Sequence, residues 1–361
     1  MLRIGIVGLP NVGKSTLFNA LTKASVPAEN YPFCTIEPSV GIVGVPDERL
    51  DKLATLSGSE KTIPAAIEFV DIAGLVKGAS EGEGLGNQFL THIREVDAIL
   101  EMVRFFDDPD ITHVHGDVDP VRDIEIINLE LVLADRDQVA KRLERVEKDV
   151  RAGLKEALAE KDALSKIAAT LGEGKLASTT VLTDAEHAII RHMNLLTMKP
   201  ILYSLNGKVG STIADERADK AYAYIKSLGS RFVHVDAGTE RELNDVGDED
   251  KAAFRSELGV SIDGLVELIR GAYETLGLIT FFTTGPKESR AWTIPKGASA
   301  PEAGAAIHTD FKDKFIRAEV VAFADLLASG SYAAARENAK VRTEGKEYVV
   351  ADGDVMVFLH S

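Results

Sequence analysis

Residues 8–15 match the pattern G-x-x-x-x-G-K-[ST], and they lie between a short apolar run and a segment with helical character. The glycines of such a loop let successive backbone N–H groups turn toward phosphate oxygens, at the positive end of the following helix. Lys14 would reach the β- and γ-phosphates as a catalytic group, and the Ser15 hydroxyl would bind Mg²⁺. The pattern therefore predicts a nucleoside triphosphate site. Its predicted nucleotide-binding residues are Asn11, Val12, Gly13, Lys14, Ser15 and Thr16.

A second pattern supports this site. Residues 67–74 form an apolar run that ends in Asp-x-x-Gly. Asp71 is predicted to hold Mg²⁺ through a water molecule, and the N–H group of Gly74 to sense the γ-phosphate. Between the two patterns, Thr35 is predicted to bind Mg²⁺ only when the γ-phosphate is present, although alone it would be interpreted as a surface threonine. Together these residues predict a switch-type NTPase with Mg²⁺ as its cofactor.

The elements that position these residues alternate between strand-like and helix-like stretches, which predicts a doubly wound, mostly parallel α/β sheet. The alternation breaks near residue 128, where apolar residues recur at spacings of three and four, as in an amphipathic, coiled-coil-like helix. An ordinary helical cap on the core is the alternative. The predicted domains are a P-loop NTPase domain (1–127 and 199–277), a helical insertion (128–198) and a small mixed α/β module (278–361).

Composition excludes several classes of protein. The net charge of −16 over 361 residues excludes a generally basic nucleic-acid coat, and the charge lies almost entirely in the predicted NTPase domain. The other two segments are nearly neutral, so they would repel RNA phosphates less and are the favoured surfaces for RNA. Alternatively, the acidity of the NTPase domain only maintains solubility. The single cysteine, Cys34, excludes an internal disulfide and a cysteine-cluster metal site. No apolar run is long enough to span a membrane, and we expect a cytoplasmic protein.

Longer motifs resemble one known family, the YchF branch of the Obg-like ATPases. They cover essentially the whole chain and comprise residues 8–16, 30–38, 71–79, 82–90, 290–295, 308–311 and 352–356. The resemblance implies a nucleotide domain of the translation-factor-related class, a coiled-coil insertion and a C-terminal TGS domain of β-grasp shape. It also implies hydrolysis of ATP in preference to GTP. It further implies binding to the large ribosomal subunit or to the whole ribosome, with the contact made by the coiled coil and the TGS domain. No membrane or free DNA partner is expected.

The base-specificity motif departs from the family. The resemblance implies Asn-x-x-Glu, where related GTPases carry Asn-Lys-x-Asp, but the matching residues 206–209 read Asn-Gly-Lys-Val. Asn206 and Gly207 remain the predicted base-binding residues. Val209 has no carboxylate to accept hydrogen bonds from guanine, and losing such a bond typically costs about 1.5–3 kcal/mol. ATP therefore remains the expected nucleotide, with weakened selectivity.

The residues that assist hydrolysis are less evident. Many related GTPases place a water-orienting glutamine after Asp-x-x-Gly, but this chain has Leu75 there. Asn11 resembles the asparagine that binds K⁺ in cation-dependent relatives, which makes K⁺ a second expected cofactor; its alternative role is to cap the loop. His113 matches a family histidine that can approach the γ-phosphate, while a lone loop histidine is more often an ordinary satisfied residue. Cys34 in the loop before Thr35 suits small-residue packing more than redox sensing.

The patterns and the resemblance together favour a ribosome-binding switch ATPase that regulates translation or a stress response. Two alternatives stay open: a nucleotide-gated scaffold whose hydrolysis is incidental, and a P-loop kinase that phosphorylates a small molecule. Against the kinase, the predicted insertion shows no arginine cluster for a second phosphorylated substrate.

Overall fold

Among the residues that the structure describes, the fold contains two six-stranded sheets and a helical insertion. The computed structural model describes residues 2–23, 26, 37, 39–72, 85–108, 110, 113–114, 116–207, 216–257 and 263–360. Among these residues no helix is both long and apolar enough to cross a membrane.

The first sheet has the order β2-β4-β1-β5-β6-β7. All its neighbouring strands run parallel except β2, which is antiparallel to β4. Its central strands are almost wholly apolar because both faces are covered by helices. This confirms the predicted doubly wound, mostly parallel sheet. The strands are β1 (Arg3–Val7), β2 (Val40–Gly44), β4 (Ala66–Asp71), β5 (Ala98–Arg104), β6 (Ile201–Asn206) and β7 (Arg231–Val235), while β3 (Lys61–Ile63) belongs to the other sheet.

Several helices of residues 1–277 begin at an aspartate that caps the first turn, and the second helix packs against strands of the other sheet. In that second helix, the Asp47 side chain accepts a hydrogen bond from the N–H of Arg49, and Gly58 closes the helix with a φ of 61°. Outside the helical insertion, the helices of these residues are α1 (Lys14–Lys23), α2 (Glu48–Ser57), α3 (Leu85–Arg94), α7 (Glu216–Ser227), α8 (Ala237–Leu243), α9 (Asp248–Glu257) and α10 (Gly264–Thr275).

The helical insertion is built on α4 (Pro120–Arg151) and α5 (Lys155–Gly172), which pack against each other, followed by the short α6 (Asp184–Ile190). The predicted boundary at residue 128 falls inside α4, so the helix itself begins earlier. Asp119 caps its first turn and Pro120 occupies the first position, where a missing N–H is tolerated. The first part of α4 covers β5 and packs against α7. One continuous helix therefore joins the NTPase sheet to the insertion.

The C-terminal module is the predicted small mixed α/β domain, and its sheet has the order β11-β10-β12-β8-β9-β3. Its last strand, β3, comes from the N-terminal half of the chain and runs parallel to β9. The remaining strands are β8 (Leu278–Thr284), β9 (Glu288–Pro295), β10 (Phe315–Ala322), β11 (Arg342–Glu344) and β12 (Asp354–His360). The helices are α11 (Ala300–Ile307), α12 (Thr309–Asp313), α13 (Phe323–Ser329) and α14 (Tyr332–Glu337).

Candidate functional site: a phosphate loop and its neighbours

The predicted phosphate loop lies between the end of β1 and the start of α1. Gly8 and Gly13 both adopt positive φ angles, of 156° and 101°. A Cβ atom on Gly8 would lie 2.5 Å from the carbonyl oxygen of Met102, and one on Gly13 would lie 2.5 Å from Nδ2 of Asn206. Glycine is required at both positions because the loop approaches β5 and β6 too closely for any side chain.

Lys14, at the first position of α1, is held by the loop itself. Its Nζ atom donates hydrogen bonds to the carbonyl oxygens of Gly8 (3.0 Å) and Leu9 (2.8 Å). Burial lowers the pKa of Lys14 to about 8, and the nearby negative charge of Asp71 opposes that shift. A triphosphate would supply the negative charge that this partly buried ammonium group lacks.

Of the predicted Mg²⁺ ligands, Ser15 follows Lys14 directly on α1, and Asp71 ends β4. Ser15 is exposed in the first turn of α1, followed by the half-buried Thr16, and Asp71 is the last residue of β4. Burial raises the pKa of Asp71, while Lys14 lowers it. A hydroxyl and a carboxylate are hard oxygen donors of the kind that Mg²⁺ selects, so these residues fit the ion.

Asn206 and Gly207 connect the end of β6 to the phosphate loop and to β7. The buried Asn206 donates from Nδ2 to the carbonyl oxygen of Val12 (2.8 Å), and its Oδ1 accepts from the N–H of Ala237 (3.1 Å). The N–H of Gly207 donates to the carbonyl oxygen of Val235. An amide has two N–H groups and two lone pairs, so Asn206 keeps one of each after making these bonds.

Asn11 lies at the tip of the loop, with an exposed side chain and a φ of 63°. Asparagine adopts this left-handed conformation more readily than most residues. The exposed position is compatible both with a K⁺ ligand and with a loop-capping residue, so both interpretations of Asn11 remain open.

His113 does not face the solvent. Its ring is buried, and Nε2 lies 2.8 Å from Oδ2 of Asp123, near the start of α4. The N–H of Gly116 donates to the carbonyl oxygen of His113 and closes a tight turn around it. Asp123, the partner of His113, was not among the predicted residues, although it lies in the first turn of an amphipathic helix that follows this loop.

Several predicted residues lie outside the part of the chain that the structure describes. They are Cys34, Thr35, Gly74, Leu75 and Val209. Their predicted roles therefore remain predictions. The described residues that do come together are those of the phosphate loop, Lys14 with Asp71, and Asn206 with Val12.

Comparison with known proteins finds relatives that match almost the whole chain. A family model described as a 50S ribosome-binding GTPase matches residues 3–146, and a model for the C-terminal domain of YchF GTPases, described as a protein of unknown function, matches residues 278–361. The ribosome-binding ATPase YchF of Bacillus subtilis is 52% identical over 360 residues, covering 99% of this chain and 98% of the relative. The protein of the same name from Escherichia coli O157:H7 is 49% identical over 357 residues, with the same coverage. The solved structure of the Schizosaccharomyces pombe YchF GTPase superposes with a TM-score of 0.88 at 39% identity, covering 99% of this chain and 97% of that one.

Proposed function

This chain belongs to the YchF family of P-loop nucleotide-hydrolysing enzymes, and we propose that it is a ribosome-binding ATPase that prefers ATP to GTP. The names of its relatives differ on the nucleotide, since the bacterial proteins are called ATPases and the fission-yeast protein a GTPase. The choice of base therefore rests on this chain's own residues.

The observation that carries the proposal is the bond from Asn206 to the backbone of Val12. It fixes the residue at the base end of the site against the phosphate loop, so one rigid unit meets both ends of a nucleotide. The remaining N–H and lone pair of Asn206 suit the edge of adenine. Guanine would also need an acidic acceptor, and the sequence has Val209 where that acid is expected.

In this proposal Ser15 and Thr35 bind Mg²⁺ directly, and Asp71 holds it through a water molecule. The ion would neutralise charge between the β- and γ-phosphates during transfer to water. Asn11 supplies a ligand for K⁺, which makes hydrolysis faster in K⁺ than in Na⁺. The N–H of Gly74 senses the γ-phosphate and couples its loss to the following segment.

Catalysis by His113 requires a change of conformation, because its ring is buried against Asp123 in the structure. We propose that the loop around His113 opens when the triphosphate and the ribosome are both bound, and that the ring then approaches the γ-phosphate. Turnover without ribosomes is expected to be slow. The ribosome contact is assigned to the helical insertion and the C-terminal domain, and such a protein would work in the cytoplasm to regulate translation or a stress response.

Titration calorimetry of nucleotide-free protein with ATP and with GTP, in Mg²⁺ and K⁺, tests the base preference. We expect ATP to bind at least about tenfold more tightly, a difference of about 1.4 kcal/mol. Equal affinities would show that the site tolerates both purines, and tighter GTP binding would overturn the assignment. The Lys14→Ala variant serves as the control that loses affinity for both triphosphates.

The proposed roles of the ribosome, K⁺ and His113 are tested by the release of inorganic phosphate from ATP. This release is measured with and without 70S ribosomes, and in K⁺ or Na⁺. We expect both ribosomes and K⁺ to stimulate phosphate release. The His113→Ala variant should lose this stimulation while it retains its affinity for the nucleotide. Ribosome binding that does not change turnover would favour a scaffold, and transfer of phosphate to a small molecule would establish a kinase.

A further inference from the structure

The His113 segment (residues 105–118) connects β5 to α4, and an arginine from a third element holds it. That residue is Arg217, which lies in the first turn of α7 with its side chain 38% exposed. The proposed mechanism assigns no role to it. Because α7 is the helix that follows the predicted base-binding residues Asn206 and Gly207, Arg217 connects that end of the site to the segment that carries the histidine.

One guanidinium group contacts both ends of the His113 segment. Nη2 of Arg217 donates to Oδ2 of Asp107 (2.9 Å), shortly after the end of β5. Nη1 donates to the carbonyl oxygen of Val118 (3.1 Å), just before the start of α4, and lies 3.4 Å from Oδ1 of Asp107. The planar fork of the guanidinium group suits a carboxylate that it meets with two nitrogens. Arg217 therefore clamps the two ends of the segment together.

Two further arginines hold the same segment from the elements that flank it. Arg104, at the end of β5, is buried and donates from Nε to the carbonyl oxygen of Phe106 (3.2 Å) and from Nη2 to that of Asp108 (3.0 Å). Arg122, in the first turn of α4, donates to Asp117. The clamp from α7 differs from these contacts, because it joins the two ends of the segment to each other. It is also partly exposed, so it can open without leaving a charge buried in the core.

The clamp affects His113 because this residue lies between the two clamped ends. Its ring is buried against Asp123 of α4, with Nε2 2.8 Å from Oδ2. Movement of the ring away from α4 requires the backbone on both sides of it to move as well. The contacts of Arg217 with Asp107 and Val118 oppose that movement.

We propose that Arg217 is a positioning residue, whose bonds to Asp107 and Val118 keep the His113 segment in the arrangement that buries the histidine ring. Release of these bonds shifts the segment toward the arrangement in which the ring leaves Asp123. Because both charged groups are partly exposed, the pair contributes little free energy and is screened by salt. The ribosome therefore needs only a modest preference for the open arrangement to release it. The effect on hydrolysis rests on the role proposed above for His113, whereas the effect on the position of the ring does not.

Chemical labelling of histidines with diethyl pyrocarbonate, quantified by mass spectrometry of peptides, measures how often the His113 ring becomes accessible. The experiment uses the full-length, nucleotide-free protein near pH 7. In the wild type His113 should be labelled slowly, and the exposed His187 on the helical insertion is the internal standard. In the Arg217→Ala variant we expect His113 to be labelled about fivefold faster, with the rate of His187 unchanged.

The matched control is Lys220→Ala. Lys220 lies about one turn further along α7 and pairs with Glu216 of the same helix (2.8 Å), so its removal deletes an exposed ion pair that does not involve the His113 segment. The labelling of His113 should not change. If it accelerates as much as in Arg217→Ala, the effect comes from α7 as a whole and the proposal is wrong.

A double-mutant cycle shows whether Arg217 acts through Asp107. Asp107→Asn removes the charge and retains the shape, and it should accelerate the labelling of His113 by less than Arg217→Ala does, because the bond to Val118 remains. The double variant should be no faster than Arg217→Ala alone, since both substitutions remove the same contact. Salt at about 1 M should accelerate the labelling of the wild type more than that of Arg217→Ala.

Unchanged labelling in Arg217→Ala, or effects of the two substitutions that simply add, would overturn the proposal. If Arg217→Ala does not fold, Asp107→Asn and the salt dependence of the wild type still decide the question.

Phosphate release by the same variants separates this proposal from the function proposed above. If both hold, Arg217→Ala should hydrolyse ATP about fivefold faster than the wild type without ribosomes and should be stimulated less by them. Faster labelling with unchanged hydrolysis would refute the catalytic role of His113 and leave the positioning by Arg217 intact. Unchanged labelling, together with loss of hydrolysis in His113→Ala, would refute the positioning and leave the catalytic role intact.

Discussion

The side-chain nitrogen Nδ2 of Asn206 donates a 2.8 Å hydrogen bond to the carbonyl oxygen of Val12, a residue 194 positions away in the chain. On its other side, the Oδ1 atom of the same amide accepts from the N–H of Ala237 at the start of α8. One side chain therefore connects the phosphate loop, the end of β6 and the helix that follows β7. We therefore expect both nucleotide affinity and fold stability to depend on this single amide.

The Asn206→Ala variant should lose both properties. Removal of the amide leaves the carbonyl of Val12 and the N–H of Ala237 buried without partners, and we expect the free energy of unfolding to fall by about 2–4 kcal/mol. Affinity for ATP should fall as well. Urea denaturation and calorimetric titration measure the two effects.

The matched control for this prediction is Asn244→Ala. The Nδ2 of Asn244 also donates to a backbone carbonyl, that of Ala20 (2.7 Å), but at the far end of α1. Stability should decrease without a change in ATP affinity. If Asn206→Ala behaves in the same way as this control, Asn206 does not take part in nucleotide binding.

Lys14 should take up a proton when a triphosphate binds at alkaline pH. Burial lowers its pKa to about 8, against 10.5 for an ordinary lysine. Between these pH values the folded, nucleotide-free protein binds fewer protons than the unfolded chain, so this lysine makes the free energy of unfolding rise with pH there. The penalty for charging Lys14 is present in full below pH 8.

Phosphate oxygens restore the charge of Lys14, so ATP binding at pH 9 should be accompanied by uptake of about 0.9 protons. Calorimetry at pH 9 in two buffers with different ionisation enthalpies measures this number. The same experiment at pH 6.5 is the control, because Lys14 is already charged there. Binding at pH 9 without proton uptake would mean that the lysine keeps its charge in the free protein.

The phosphate loop was predictable because its chemistry depends on consecutive residues. The glycines, Lys14 and Ser15 lie in one loop and the start of the next helix, so their spacing alone predicts the site. The bond between His113 and Asp123 depends on how a loop folds against α4, and spacing in the sequence does not define that. The same holds for Asn206, whose partners come from distant segments.

The fold class was also predictable, with one important exception. Long apolar strands and the change of periodicity near residue 128 identified the sheets and the insertion. The three residues of β3 carry no strand-length apolar pattern, and only Ile63 is buried. Their pairing with β9 is decided by tertiary contacts, such as the hydrogen bond from the Ser59 hydroxyl to the carbonyl oxygen of Gly285.

Asp135 should be essential for holding the end of the insertion against α4. Its buried carboxylate accepts hydrogen bonds from the N–H of Leu196 (3.0 Å) and from the N–H (2.8 Å) and hydroxyl (2.7 Å) of Thr197. The Asp135→Ala variant leaves three buried donors without an acceptor, and we expect it to destabilise the protein by about 3–5 kcal/mol. Denaturant melts measure the loss, and Asp137→Ala, exposed on the same helix, should remain within about 0.5 kcal/mol of the wild type.

The ion pair between Arg49 and Asp352 should couple the NTPase domain to the C-terminal domain. Arg49 on α2 lies 2.7 Å from Asp352, and its guanidinium group also lies over the ring of Phe282, 5.2 Å from the centroid. Because both charged groups are partly exposed, a double-mutant cycle with Arg49→Ala and Asp352→Ala should give a coupling free energy of only about 0.5–1 kcal/mol. Since the cycle isolates the pair, it cancels the loss of the hydrogen bond that Asp352 accepts from the N–H of Thr280.

The exposed pair formed by Glu48 and Lys52, 3.6 Å apart on the same helix, is the control for that cycle. It joins no second domain and should give at most about 0.5 kcal/mol of coupling. Raising the salt concentration to about 1 M should weaken both couplings by screening.

The position of β3 gives the Arg49 pair a further effect, because β3 is followed closely by β4, which ends at Asp71. We therefore expect Arg49→Ala, but not Lys52→Ala, to reduce the stimulation of hydrolysis by ribosomes; equal stimulation in both variants would show that the contact does not transmit between the domains.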